Sequence, residues 1–493
     1  MAVVEEVTTA ELEARPTVRS WSRLLPYATL AGYAVLIAVV IAHHEPWFDE
    51  AQAWLMARDS NLINLFQRLP YEGQPGLWHL LLMVPSKTLP YEVLNWISGG
   101  LGTLGVFVLL TRSPFPPLVK VLLPFTYFLF YQYGVVARNY ALLPVTLFVV
   151  AALYPQRHER PWTFALVLFV LANTSTHGFL IAGSLLAVYV VEIFGRARKL
   201  SKRPGRPVLL AVICLALSMG VVALSLLPPA DRTFALDVGD EVGLGTFLKF
   251  AGGMMNGSMA GNLLVLLPAL LASGWFFRRA RVLHLYVIPT LLLLAFFAFV
   301  HRAPWHEGVL FLVWIFTLWV GLQREVSANR LDERSRLAAL TMLVVVGVVQ
   351  IAWTVRTAAL DLEGPYSGSR ELATYLQTNR IADSSIFGLD WAAVAVNAYF
   401  GRNIYSNYFP PDGVSYWEWS KKIAIVDNFS DIEWLKPQFV VFPIKHPGSE
   451  KRVLDALPSY RQRAVFWGDL FWKGTSIQPD VYVLLERREA SGS

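Results

Sequence analysis

Residues 25–42 read LPYATLAGYAVLIAVVIA, a run without a single charge. Within hydrocarbon every backbone N–H and C=O must be satisfied inside the segment itself, so such a run can only be a helix. Roughly 20 residues of this kind are needed to cross the membrane. The pattern recurs near 93–111, 117–134, 140–155, 161–174, 178–194, 207–227, 259–277, 282–300, 308–322 and 336–355. Together with 24–42 these predict about eleven transmembrane helices, an α-helical polytopic membrane protein. Only 16% of the chain is charged, against about 25% in soluble proteins. Residues 1–23 hold no apolar core and no small-residue cleavage site, so they are expected to be a cytosolic tail and not a signal peptide. The one cysteine, Cys214, lies in an apolar run and excludes an intrachain disulfide.

The basic residues set the expected orientation. FGRARKLSKRPGR (194–206), RRAR (278–281), QREVSANRLDERSR (323–336) and Arg15, Arg19 and Arg23 all fall on one side of an eleven-span chain. By the positive-inside rule that side is cytoplasmic. The net charge of +6 is thus a topology signal, with no call for nucleic acid, whose binders gather Lys and Arg on an exposed face. The other side receives the loop 43–92, YQYGVVARNY (131–140), the loop 227–245, HRAPWHEG (301–308) and all of 356–493. Domain 24–355 is therefore the membrane unit. Residues 356–493 open on GPYSG (364–368) and alternate strand-like SIFGL, FVVFPI and VYVLLE with helical GSRELATYLQTN and GSEKRVLDAL. They are expected to form a small C-terminal α/β domain outside the membrane.

Ionisable groups at the membrane are costly and usually have a task. Loop 43–92 pairs Asp49 with Glu50 at the head of a helical run, then offers Arg58, Glu72, His79 and Lys87 among Trp47, Trp54 and Trp78. Its apolar content suits interfacial helices that roof a cavity. Asp49 and Gln52 are spaced for a capping box and Glu50 suits the helix dipole, so capping competes with chemistry here. Arg138 stands among Tyr131, Tyr133 and Tyr140, either snorkelling to the interface or holding a phosphate. His177 in NTSTHG fits a polar turn, while His301, Arg302, His306 and Glu307 crowd a short connection. No closed zinc pattern is present, and a magnesium or manganese ion bridging Asp49 to a phosphate is the metal alternative. AGGMMNGSMAGN (251–262), near Lys249, lacks the lysine of a phosphate loop and reads as a flexible lead-in to the eighth span. YFPPDGVSYWEW (408–419) offers either a sugar-stacking surface or buried core.

The order of these parts resembles the GT-C superfamily of integral-membrane glycosyltransferases. It is most similar to the branch with protein O-mannosyltransferases and the lipid A aminoarabinose transferase. The resemblance covers about residues 24–200 and rests on Trp47-Phe48-Asp49-Glu50-Ala51, Ala57-Arg58 and the segment Tyr131–Tyr140. The family's His-Pro-Pro-Leu-Tyr-Tyr stretch corresponds to Gln74-Pro75-Gly76-Leu77-Trp78-His79, with histidine and one proline replaced. The resemblance implies transfer of a sugar from a polyprenyl-phosphate donor to a glycan, lipid or protein acceptor on the exoplasmic face. It also implies an essential acid in the first loop. Asp49 is then the expected base and Glu50 the second choice, with Arg138, Arg302, Lys87 and Arg58 as cations for the phosphate. Tyr140, Glu72, His79, His301 and His306 are further site residues. A single displacement would invert the anomeric centre. A polytopic transporter or lipid flippase is the alternative, and predicts broken helices paired between two halves.

Overall fold

The structure is a computed structural model that describes residues 17–201, 203–233, 243–328, 332–408, 413–422, 428–444 and 449–488. Most of the cytosolic tail expected over 1–23 lies outside them. Helices dominate. Seven are long and apolar enough to cross a membrane: Leu24–Ile41, Val93–Arg112, Asn139–Gln156, Thr176–Lys199, Arg206–Ser225, Pro304–Glu325 and Glu333–Glu363. Two bent pairs raise the number to as many as nine, Pro117–Phe125 with Phe128–Val135 at 41° and Leu244–Met259 with Leu263–Arg279 at 87°.

The expected eleven included two segments that form shorter helices, Pro161–Ala172 of 12 residues and Leu283–Phe299 of 17. The bends have local causes. Pro124, without an N–H, sits in a 3₁₀ turn, and the helix resumes only as the π-helical Phe128–Val135. The sharper bend follows Gly261, at φ +66°, which a side chain would disfavour. The glycine-rich stretch 251–262 is thus mostly helix, closing on this turn.

The last long helix continues to Glu363, so the expected boundary at 355/356 moves to Gly364. Beyond it come β1 (Ile386–Gly388), β2 (Phe439–Ile444), β3 (Tyr460–Phe466), β4 (Asp469–Trp472), β5 (Thr475–Pro479) and β6 (Val481–Arg487). The main sheet runs β1-β2-β6-β3, with β1 parallel to β2 and the other pairs antiparallel. Helices Ser369–Thr378 and Ser449–Ala456 complete the expected α/β unit. Val440, Val483 and Leu485, fully buried, form its core.

β4 and β5 make a separate hairpin that the sequence reading missed. Its turn residue Lys473 enters the helical part, pairs with Glu307, donates to the Gly257 carbonyl at 2.6 Å and lies 4.8 Å from the Trp353 ring. A Cβ on Gly257 would strike the Glu307 carboxylate, so only glycine leaves room for this pair.

Candidate functional site

Loop 43–92 folds into four short helices, Phe48–Asp59, Leu62–Glu72, Leu77–Leu82 and Pro85–Thr88. The first begins at the acid pair. Glu50, not Asp49, does the capping: its carboxylate accepts the Trp47 N–H at 3.1 Å. The same carboxylate accepts from the Asn95 amide at 3.2 Å and the Ala137 N–H at 2.5 Å. Asp49 lies one residue before Glu50 and Arg138 one after Ala137, so this buried carboxylate fixes both. Beside it, His44 is 3.6 Å from Glu50 and 2.9 Å from Asp361, which also accepts from the Tyr131 hydroxyl at 3.0 Å. Burial opposes charge on His44, yet Asp361 and then Glu50 raise its pKa to about 10, so it is a buried imidazolium between two carboxylates.

The Asp49 side chain points the other way. Its carboxylate meets the Arg138 guanidinium at 2.7 Å, and both line a cavity of about 400 Å³. Arg138 is also 5.2 Å from the Tyr140 ring, 5.8 Å from Trp305 and 6.0 Å from Trp47. The cavity gathers helix termini at one end of the bundle. Asn139 and His177 come from the starts of two long helices, Trp305 from the start of another, Leu226 from just past the end of a fourth and Phe296 from the last turn of Leu283–Phe299. Phe48, Gln52, Glu72, Trp78 and His79 come from the loop helices, and Trp391 and Trp419 from the C-terminal region. The Phe48 and Trp391 rings meet edge to face at 3.8 Å.

Glu72 shares the cavity. Gln52 donates to it at 2.9 Å, and Gln52 is itself held by the backbone of Trp417 at 2.7 Å and 2.9 Å. Burial, and the nearby Asp49 charge, push the Glu72 pKa up to about 7, although Gln52, Arg232 and Trp419 pull it down. Burial lowers His79 to about 4, so its imidazole is neutral at physiological pH.

Asp49, Arg138, Glu72, His79 and His301 are thus brought together. His306 and Tyr140 form the layer behind, with His306 4.5 Å from the His177 ring and 5.1 Å from His301, and Tyr140 5.4 Å from His177. Other expected site residues stand elsewhere, which corrects the sequence reading. Glu50 is fully enclosed and saturated with donors, so it cannot reach a substrate hydroxyl. Arg58 pairs with Asp59 at 2.7 Å and donates to Ser415 at 2.7 Å and to the Phe400 carbonyl, clamping the C-terminal region. Lys87 donates to the Ser60 carbonyl at 2.8 Å. Exposed Arg302 lies over the Phe250 ring at 4.4 Å. None of these three cations borders the Asp49 cavity.

Arg232 does border it and was missed. Its signal was its place in the loop 227–245, on the face already assigned to the site. Its neighbour Asp231 is anchored by the Tyr71 hydroxyl at 3.0 Å and by Ser420 at 2.7 Å. From 408–419, Trp419 lines the cavity whereas Tyr408 and Tyr416 are core. Residues 409–412 lie outside the described residues.

The arrangement does not fit a resident divalent ion. No group of three His, Cys, Asp or Glu side chains is placed to hold one among the described residues, and Asp49 already faces a guanidinium. No family model, characterised protein or solved structure matches the chain.

Proposed function

We propose that this chain is an integral-membrane glycosyltransferase that moves a sugar from a polyprenyl-phosphate donor to an acceptor on the exoplasmic face. The observation that carries the reading is the Asp49–Arg138 pair on the wall of an aromatic cavity at one end of the helical bundle. Acceptor activation needs a carboxylate within reach of a hydroxyl, and a departing phosphate needs a cation. The pair supplies both. In the pair the carboxylate is neutralised and a poor base. An incoming phosphodiester competes for Arg138, and its capture releases Asp49 to accept a proton. The acceptor oxygen then attacks the anomeric carbon and its proton passes to Asp49. The bond between the anomeric carbon and the phosphate oxygen breaks, the electron pair stays on that oxygen, and polyprenyl phosphate leaves with its added negative charge stabilised by Arg138. Attack opposite the leaving group inverts the centre. Leu226, Pro228, Phe296 and Val300 give the cavity an apolar side on which a polyprenyl chain can lie.

In this reading eleven segments cross or enter the membrane. The amino terminus is cytoplasmic, the C-terminal domain is outside, and the membrane is a bacterial inner or plasma membrane. The acceptor is a glycan, lipid or protein.

The two bent helix pairs, one in each half, favour a transporter or flippase as the second reading. Their bends differ, 41° against 87°, and neither pair contributes a residue to the cavity. Purified protein incubated with a panel of polyprenyl-phosphate sugars and acceptors separates the two. The transferase reading predicts polyprenyl phosphate released in step with glycosylated acceptor. Transbilayer movement of intact donor in vesicles, with no release, would instead establish transport.

A further inference from the structure

Desolvation cancels much of the attraction in a buried ion pair, so stability alone does not account for a fully enclosed one, and fixing a conformation is its better-attested use. Asp361, His44 and Glu50 form such a group, with no side-chain surface exposed on any of the three. Both ring nitrogens of His44 face carboxylates, Nδ1 at 2.9 Å from Asp361 and Nε2 at 3.6 Å from Glu50. A neutral imidazole has a single N–H, so this two-sided placement calls for the imidazolium. Neither His44 nor Asp361 lines the cavity, and neither can touch a substrate there.

The two ends of this triad lead to different places. Asp361 stands in the last turn of the helix Glu333–Glu363, where the chain leaves for the C-terminal region. Just past it, the Tyr366 ring is 4.5 Å from the His44 ring and the Tyr366 N–H donates to Glu45 at 2.8 Å. Arg370 donates to the His44 carbonyl at 2.9 Å and to Glu45 at 3.0 Å. The start of the C-terminal region thus grips residues 44 and 45. At the other end, Glu50 accepts the backbone N–H groups of Trp47 and Ala137. Trp47 caps the helix that carries Asp49, and Ala137 precedes Arg138. One carboxylate therefore bridges the two backbones whose side chains meet at 2.7 Å in the cavity wall. A misplacement of about 1 Å between reacting groups can slow a reaction about 10²-fold.

We propose that His44 and Asp361 are positioning residues for the Asp49–Arg138 pair: acting through Glu50, they tie its geometry to the seating of the C-terminal region on residues 44 and 45. The inference rests on the transferase reading for the work the pair does, yet its test reads the pair through binding. Polyprenyl phosphate is the probe, and its affinity for the full-length protein is read by tryptophan fluorescence. Trp47 and Trp305 lie 6.0 Å and 5.8 Å from the Arg138 guanidinium. Wild type, Asp361→Asn, Asp49→Asn and the double variant form a cycle. Asp361→Asn leaves the His44 imidazolium facing Glu50, so no buried charge loses its partner. A slackened pair yields Arg138 more readily to a phosphate. Asp361→Asn is therefore expected to tighten binding at least about fivefold where Asp49 is present, and less than about twofold where Asp49→Asn has already removed the competitor.

General loosening of the fold would shift the affinity alike in both backgrounds. Equal effects in the two, no effect included, overturn the inference. With a saturating polyprenyl-phosphate hexose and acceptor, Asp361→Asn should also slow polyprenyl phosphate release about tenfold, so that tighter phosphate binding accompanies slower turnover. Coupled binding with no release even from the wild type upholds the inference and rejects the transferase. Release from the wild type, with equal effects of Asp361→Asn in the two backgrounds, keeps the transferase and overturns the positioning role.

Discussion

At the residue scale, Asp49 and Glu50 adjoin but do unlike work. A helix start turns successive side chains about 100° apart, so one faces the cavity and its neighbour the core. Glu50 is spent on three donors and the His44 imidazolium. Asp49 keeps 26% of its side chain exposed in the cavity wall. Glu72 gives this scale its pH dependence. Held up to about 7 by burial, it faces Asp49, Gln52, Arg232 and Trp419. Below pH 7 it is protonated and its charge no longer offsets that of Arg232, so the cavity attracts phosphate more strongly. Above pH 7 it ionises and offsets that guanidinium. The KM for a polyprenyl-phosphate donor should therefore rise on the order of tenfold from pH 6 to pH 8.5. Glu72→Gln should flatten the rise, and an unchanged profile in that variant would remove Glu72 from the donor site.

At the element scale, the β4–β5 hairpin fastens the C-terminal region to the helices through Lys473, with the Gly474 N–H donating to Thr357 at 2.7 Å and the Trp472 ring 5.3 Å from Tyr127. Lys473→Ala leaves Glu307 buried without its cation, at a cost of about 3–5 kcal/mol. The variant should unfold at a clearly lower temperature, and protease should cut between Gly364 and the sheet sooner than in the wild type. Lys473→Arg should recover only part of this, because a planar guanidinium replaces a compact ammonium. Unaltered protection in Lys473→Ala would show that the hairpin does not anchor the region. Nothing in FWKGTSIQPD announced this contact. Lys473 and Glu307 are far apart in sequence, and Glu307 stood out only within the His301–Glu307 cluster. The strands SIFGL, FVVFPI and VYVLLE were legible because buried strands are continuous apolar runs. YRQRAVF (460–466), half polar along its outer face, was not. Spans were legible by the same logic wherever a helix is straight. At the Pro124 and Gly261 bends, hydropathy reports composition and not direction.

At the scale of the whole molecule, the site is assembled from six regions that the sequence separates: loop 43–92, the Arg138 connection, the helix start at Thr176 and His177, the segment from Leu226 to Arg232, the stretch from Phe296 to Trp305 and the C-terminal segment from Trp391 to Trp419. Positive-inside counting put these regions on one face, and that made Asp49, Arg138 and His301 a group before any geometry. It could not tell Arg58, Lys87 and Arg302 from Arg138, because sidedness does not say which way a side chain turns. The orientation is directly measurable. In a Cys214→Ser background, Lys199→Cys should react with an impermeant maleimide only from the cytoplasmic side and Ser385→Cys only from the outside. Labelling of both from one side would refute the topology on which the exoplasmic site depends.

In the proposed mechanism Asp49 takes the acceptor proton once a phosphodiester has drawn Arg138 away. Asp49→Asn retains the shape of the carboxylate but not its basicity. Single-turnover release of polyprenyl phosphate, measured with saturating donor and acceptor, tests this most directly. The prediction is a fall of about 10²–10⁴-fold with donor binding retained. Release at the wild-type rate from the Asp49→Asn protein would contradict the mechanism.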